Sequence, residues 1–439
     1  MKKASCIILI NILLFQLGFA QSIDTNKLNT YFSLLEEKDK FMGSVALYSN
    51  GKIIYTNQLG FTNIQTKAKP NVNTKYRIGS ITKTFTATLV FKAIEANKIS
   101  LDQSIKKFFP KIENAKKITI GHLLSHRSGI HNFTNDKAYF NYNTQKKSQK
   151  EMLEIIASSP NDFEPNSTAQ YSNSNYLLLS YILEKVYNKT YSEILKEMIV
   201  NPIKLMNTYV GEKIDLNNNE CYSYTRLSEW EKQSETDLSI PLGAGAIVST
   251  PSDLLFFANA LFNNELIAKE SVEKMKLMNE NYGMGLFEIP FNENTSYGHT
   301  GGIDGFSSVF GYFSDKNIGF AILSNGHNFD NNKIAILLLN ELFGVDYEVP
   351  TFEEYVLKAE DLDKYLGSYS SPSVPMKITI TKKGNTLNAQ ATGQAAFSLE
   401  ATEKDIFKFD VAGVVLKFTP SKKEMILEQG GGSFTFKKE

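Results

Sequence analysis

Ser80 and Lys83 stand three residues apart in the stretch RIGSITKTFTATLV, which runs from Arg77 to Val90. Phe85, Leu89 and Ala93 recur at every fourth residue with Ile94 beside them, a spacing that predicts an amphipathic helix opening near Gly79 and Ser80. Residues i and i+3 share a helix face, so the hydroxyl and the amine could meet there. Two chemistries fit that pair: a serine nucleophile with its base, or an ordinary helix start beside a solvated lysine. A serine hydroxyl is a weak nucleophile until a neighbour takes its proton, and an amine can do so once desolvation or nearby positive charge lowers its pKa.

The spacing alone decides nothing. Ser-x-x-Lys recurs at Ser49/Lys52, Ser104/Lys107 and Ser271/Lys274, and Tyr-x-Asn occurs at Tyr55/Asn57, Tyr139/Asn141 and Tyr171/Asn173. Order and context single out one set. Ser80 opens a helix, Tyr171-Ser172-Asn173 lies in a polar loop before another helix, and His299-Thr300-Gly301-Gly302 leads into a strand. Rival chemistries lack their marks. The chain has no Gly-x-Ser-x-Gly elbow, and Cys221 sits in no nucleophile motif. His122 and His126 are four apart with His131 nearby, but Leu123 stands where a zinc-protease helix needs glutamate. The three histidines are therefore expected to be structural, and neither metal nor cofactor is called for.

The elements that must position these residues follow from periodicity. Leu28, Tyr31, Phe32 and Leu35 predict a helix from about Thr25 to Lys38, and Asn50-Gly51 marks a hairpin within GSVALYSNGKIIYTNQLG. Residues 101 to 200 are expected to be mainly helical, with NYLLLSYILEKVY the clearest stretch. Thr250, Pro251 and Asp253 supply a helix cap and first turn. Strands return from Tyr297 in GFSSVFGYF and IGFAILSNG. Hairpin, helices, then strands predict an α+β fold: a central antiparallel sheet built from both ends of the domain, flanked by helices, with a helical subdomain. After about Pro350 a helical piece, EEYVLKAEDLDKYLG, leads into short alternating strands, which predicts a small all-β, barrel-like C-terminal domain. The expected boundaries are 1–20, 21–350 and 351–439.

Residues 1–20 predict an export signal: Lys2 and Lys3, the short apolar run CIILINILLFQLGF, and Ala20 before Gln21. That run is too short for a comfortable membrane span, and Cys6 precedes it, so no lipid-anchoring cysteine is placed. The expected destination is periplasmic or secreted, with no stable span after cleavage. Cys221 is then the sole cysteine, so no internal disulfide can form. Removing Lys2 and Lys3 takes Lys+Arg from 47 to 45 against 47 acids, a net charge of about −2 that gives no electrostatic basis for nucleic-acid binding.

With LLSHRSGI (Leu123 to Ile130), YSNSNYLLLSYILEKV, NPIKLMNTYV, GAGAIVSTPSDL and YGHTGGIDGFSSVFGYF in this order, the chain resembles the serine β-lactamase and penicillin-binding family over residues 25 to 345. Within it, the likeness is to the class C-like branch that includes D-alanyl-D-alanine carboxypeptidases, D-aminopeptidases and esterases. The resemblance implies acylation of Ser80, with Lys83 and Tyr171 moving protons, followed by hydrolysis of a small-molecule or short-peptide substrate. It implies that Asn173 binds the substrate amide and helps hold Lys83, and that His299, Thr300 and Gly301 line the substrate. The oxyanion donors would be the backbone N–H groups of Ser80 and Gly302. Two departures stand out. His299 replaces the lysine of most β-lactamases, which favours the peptidase and esterase branches, and Asn166 replaces a glycine after Pro165. The alternatives are a β-lactamase or esterase on the same fold, or a penicillin-binding sensor without turnover.

Overall fold

The computed structural model describes residues 23–226, 229–352, 355, 357–394 and 396–439. The expected export signal therefore lies outside the described residues, as do Glu353, Glu354 and Val356 of the expected helical piece.

Strands Lys52–Leu59, Phe41–Ser49, Ile318–His327, Phe306–Phe313, Asn294–Ile303 and Phe287–Phe291 form, in that order, a six-stranded sheet. Asn50 (φ 47°) and Gly51 (φ 88°) turn the first hairpin, the left-handed pair that a two-residue connection favours. Phe41–Ser49 then pairs antiparallel with Ile318–His327, Ala46 opposite Ala321, so the two ends of the domain close one sheet. Alternation sorts its side chains. Val45 and Leu47 join Phe320 and Ile322 under the helices Thr25–Glu37 and Asn331–Phe343. Ala46 and Tyr48 face the opposite core with Phe310, Tyr312, Leu323 and the helices Thr82–Glu95 and Pro251–Phe262.

The first helix buries Leu28, Tyr31, Phe32 and Leu35, as the spacing predicts, with Asp24 accepting from the Lys27 N–H at 2.9 Å. Thr250 caps Pro251–Phe262 through the Asp253 N–H at 3.2 Å. Thr82–Glu95 departs from expectation: it is buried from Thr82 to Phe91, not on one face. Its threonines tolerate this because each hydroxyl finds a backbone partner: three donate to carbonyls, Thr84 to Gly285 at 2.8 Å, Thr86 to Gly243 at 2.6 Å and Thr88 to Thr84 at 2.8 Å, and Thr82 accepts the Ile247 N–H at 3.1 Å. Residues 101 to 200 are also looser than expected. Ile120–Leu124, Tyr139–Tyr142 and Tyr191–Leu195 are only about one turn each, and loops fill much of the rest. Asn166 takes φ 69°, the left-handed backbone a glycine would supply, and its side chain and carbonyl hold Arg127 at 2.8 and 2.9 Å.

Eight antiparallel strands from Gly367–Ser370 to Gly432–Lys438 close a barrel, with Tyr369 opposite Lys438 where first meets last. Ile378, Ile380, Leu387, Leu416, Met425 and Phe436 fill it. The described part of the helical piece before it is a 3-10 turn, Ala359–Tyr365, not an α-helix. Buried Lys40 pairs with Glu400, and Lys333 with Asp410 at 3.0 Å, so these barrel contacts reach the helix-covered face opposite Ser80. Cys221 is a buried free thiol, its Sγ 3.4 Å from the Lys75 carbonyl. No helix among the described residues is long and apolar enough to cross a membrane.

Candidate active site

Ser80 sits in a 3-10 turn, Gly79–Ile81, that runs directly into the helix Thr82–Glu95. The turn lies against the strand Asn294–Ile303. A Cβ on Gly79, whose φ is +49°, would stand 2.8 Å from the Gly302 nitrogen, and one on Gly301 would stand 2.1 Å from the Ile78 carbonyl oxygen. Only glycine permits both approaches. The sheet makes room for the turn: Phe287–Phe291 pairs with this strand no further than Gly298, while the other edge stays paired to Ile303. The backbone bearing the N–H groups of Ser80 and Gly302 is thereby brought to one place, with Gly302 exposed.

One helical turn on, Lys83 is fully buried. Its Nζ lies 2.9 Å from Ser80 Oγ, 2.8 Å from Asn173 Oδ1 and 2.7 Å from the Ala244 carbonyl oxygen. No carboxylate is among these partners, and burial alone drives the ammonium's pKa well below its ordinary value. All three oxygens can accept from an ammonium; an amine discharged by burial keeps its N–H groups on the two carbonyl oxygens and turns its lone pair to the hydroxyl, the only partner with a proton to give.

The phenol of Tyr171 approaches from the far side, its ring 4.9 Å from Lys83 Nζ. A phenol beside a lysine can be drawn toward ionisation, but here burial raises the Tyr171 pKa and the Ser80 hydroxyl opposes that only in part, so the phenol keeps its proton. Asn173 is not a loop residue but the first of the helix Asn173–Tyr187. Its N–H donates to Asn132 Oδ1 at 3.0 Å and its Nδ2 to Thr134 Oγ1 at 3.0 Å, so the amide oxygen is aimed at Lys83.

His299 is buried at 2 % exposure, its ring 4.3 Å from that of Phe287, with Nδ1 donating to its neighbour's carbonyl, Thr300 O, at 2.5 Å. Burial first, and then the proximity of Lys83, pull its pKa down to about 3. It is a neutral wall of the site, whereas Thr300 on the same strand is exposed. Unfolded histidine titrates near 6.5, so below that the unfolded chain holds the extra proton. Stability is expected to fall as pH drops from 6.5 toward 3, by about 1.4 kcal/mol per pH unit for this one proton. Urea denaturation of wild type and His299→Gln across that window checks it, the variant showing the shallower slope.

The other histidines divide. His122 Nδ1 accepts the Thr119 N–H at 3.4 Å in a helix cap, and His131 bridges Asp162 and Asp136 at 2.7 and 3.2 Å. Among the described residues no three His, Cys, Asp or Glu side chains are arranged to hold a metal ion. His126 adjoins the site. Its ring lies 4.4 Å from that of Tyr171, its Nδ1 accepts the Ser172 N–H at 3.2 Å, and burial holds it neutral. Sequence reasoning did not select His126, Asn132, Thr134 or Ala244 for the site. The first lies in LLSHRSGI and the last in GAGAIV, but a carbonyl or a ring packed against a phenol leaves no spacing signature.

The family model described as Beta-lactamase matches residues 33–341. Penicillin-binding protein 4* of Bacillus subtilis is 26% identical over 437 residues, covering 92% of this chain and 96% of that protein. Teichoic acid D-alanine hydrolase of Staphylococcus aureus is 30% identical over 219 residues, 49% of this chain and 52% of its own length. The D-amino acid amidase of Ochrobactrum anthropi SV3, crystallised with D-phenylalanine, superposes with a TM-score of 0.65 at 23% identity, over 73% of this chain and 100% of that one.

Proposed function

We propose, given that the chain belongs to the beta-lactamase family of serine hydrolases, that it hydrolyses amides or esters of D-amino acids through an acyl-enzyme on Ser80. The observation that carries this reading is the setting of Lys83: a buried amine held by two carbonyl oxygens and no carboxylate, with its Nζ 2.9 Å from Ser80 Oγ. Ser80 Oγ attacks the acyl carbon while its proton passes to Lys83 Nζ. The carbonyl oxygen gains negative charge between the N–H groups of Ser80 and Gly302. As the carbon–nitrogen or carbon–oxygen bond breaks, the leaving atom takes the Tyr171 proton, and Lys83 returns one to the phenol. Water then follows the same route in reverse, the phenol and amine taking its proton and returning it to Ser80 Oγ.

His299 narrows the substrate. A lysine at that place would hold a carboxylate; a buried, neutral imidazole does not. This favours a substrate whose leaving side carries no carboxylate over a penicillin or a D-alanyl-D-alanine terminus. The names of the D-amino acid amidase and the teichoic acid D-alanine hydrolase support the D-amino acyl class, and an export signal in residues 1–20 would suit a substrate outside the cytoplasm. The test compares D-alanine nitroanilide, D-alanine methyl ester and their L-forms with nitrocefin and a D-alanyl-D-alanine peptide. Sustained turnover of the first two D-compounds, at least about tenfold above the rest, is expected. Nitrocefin as the best substrate would overturn the substrate class, and a stable adduct without turnover would return the sensor alternative.

A further inference from the structure

We propose that the buried ion pair between Arg77 and Asp304 is a positioning device for the oxyanion hole, fixing the turn that carries Ser80 against the strand end that carries Gly302. The proposal rests on the reading of those two N–H groups as the donors. Arg77 stands three residues before Ser80 and Asp304 two after Gly302. Arg77 Nη1 lies 3.0 Å from Asp304 Oδ2, with the two side chains only 2% and 3% exposed. The other carboxylate oxygen accepts the Thr236 N–H at 3.0 Å and its hydroxyl at 2.7 Å. Arg77 also donates to the Thr236 carbonyl at 2.8 Å and the Glu212 carbonyl at 2.9 Å. Asp304 occupies the tip of the hairpin between Ile303 and Phe306 at φ 54°, and the adjoining Gly305 N–H donates to Ser223 Oγ at 3.1 Å.

Two physical points make this a geometric device more than a source of stability. Desolvating two charges offsets most of what their attraction returns, so a buried pair of this kind is a poor stabiliser compared with apolar packing. The cluster is also incomplete: Arg77 Nε is buried with no hydrogen-bond partner among the described residues. What the pair does provide is direction. A guanidinium fork accepts partners only in its plane and at fixed angles, so it sets the separation of the two segments it joins. Those segments bear the two donors, and an oxyanion hole loses its effect when its donors move by about 1 Å.

The test uses the full chain and the double variant Arg77→Met/Asp304→Asn. It removes both charges of the pair together, leaving the partly exposed Glu235 carboxylate, 3.5 Å from Arg77 Nη2, without its cation; it keeps bulk at 77, and leaves at 304 a residue that tolerates positive φ. Readouts are kcat and KM for the D-alanine ester and inhibition by phenylboronic acid, whose adduct with Ser80 places an oxygen in the hole. The expected result is a kcat lower by about 10- to 100-fold with KM changed by less than about threefold, and boronate inhibition weakened in proportion to kcat/KM. Should the double variant fail to fold, Arg77→Ala assayed with added guanidinium chloride replaces it, and recovery of kcat at millimolar guanidinium is expected. Wild-type kcat and boronate binding in the double variant, or no recovery with guanidinium, would overturn the proposal. Ser80→Ala run in parallel separates the two levels. If it is inactive while the double variant is unimpaired, only the positioning role falls; if it still turns over, the donor reading falls and the ion pair's role with it.

Discussion

Lys83→Met is expected to slow turnover by about a hundred- to ten-thousand-fold, the range for losing a positioned base, and Ser80→Ala by about a millionfold. The methionine keeps the volume of a fully buried side chain but has no lone pair to take the hydroxyl proton. Intact-mass labelling with an activated phosphonate, followed by steady-state kinetics on the D-alanine ester, checks both. Normal labelling of Lys83→Met would remove the amine from the mechanism. The same variant carries a second signature. The folded protein releases the Lys83 proton well below 10.5, so between that folded value and 10.5 the unfolded chain holds one proton more. Stability therefore rises with pH through this window by about 1.4 kcal/mol per pH unit, is fully present above 10.5, and is lost as pH falls toward the folded value. Lys83→Met lacks that slope, and denaturant titrations in the pH unit just below 10.5 compare the two.

Gly301→Ala is expected to cost about 3 kcal/mol or more of stability and at least about a hundredfold of activity together. Its new methyl group would sit 2.1 Å from the Ile78 carbonyl oxygen and 2.4 Å from Ser308 Oγ, two atoms that are themselves hydrogen-bonded at 2.9 Å. The serine hydroxyl could rotate away, but the Ile78 carbonyl cannot yield without moving backbone, because Ile78 also donates its N–H to the Ile247 carbonyl at 3.0 Å. The strand must swing away from the turn, carrying Gly302 with it. Gly384→Ala is the control for loss of a glycine alone: its φ is +60°, but nothing lies within 4 Å of the added carbon. That variant is expected to lose about 1 kcal/mol and no activity. Thermal melts and ester hydrolysis distinguish the two, and equal behaviour would mean that close approach at Gly301 is unimportant.

Much of the scaffold was legible because its signals are local. Asn50-Gly51 specifies a hairpin by backbone twist, Thr250-Pro251-Ser252-Asp253 a helix start by capping, and Leu28, Tyr31, Phe32 and Leu35 a buried stripe by helical period. Periodicity misjudged Thr82–Glu95, whose threonine hydroxyls look solvated in sequence but are met by carbonyls as distant as Gly243 and Gly285. It also read a helix before the barrel where the described residues make a short 3-10 turn. The candidate nucleophile and amine were visible because one helical turn separates them, whereas Ala244, Asn132 and Thr134, which aim the amine, were not.

The sequence by itself determined which groups share a turn, which strands alternate, and where chain direction must reverse. These follow from dihedral preferences and side-chain spacing over a few residues. Only the tertiary structure decided the pKa shifts on which the chemistry turns: burial lowers those of Lys83 and His299 and raises that of Tyr171. It alone also brought Arg77 to Asp304 across 227 residues of chain. A pKa and a buried ion pair are sums over every group that displaces water around them, and those groups come from segments that no local pattern connects.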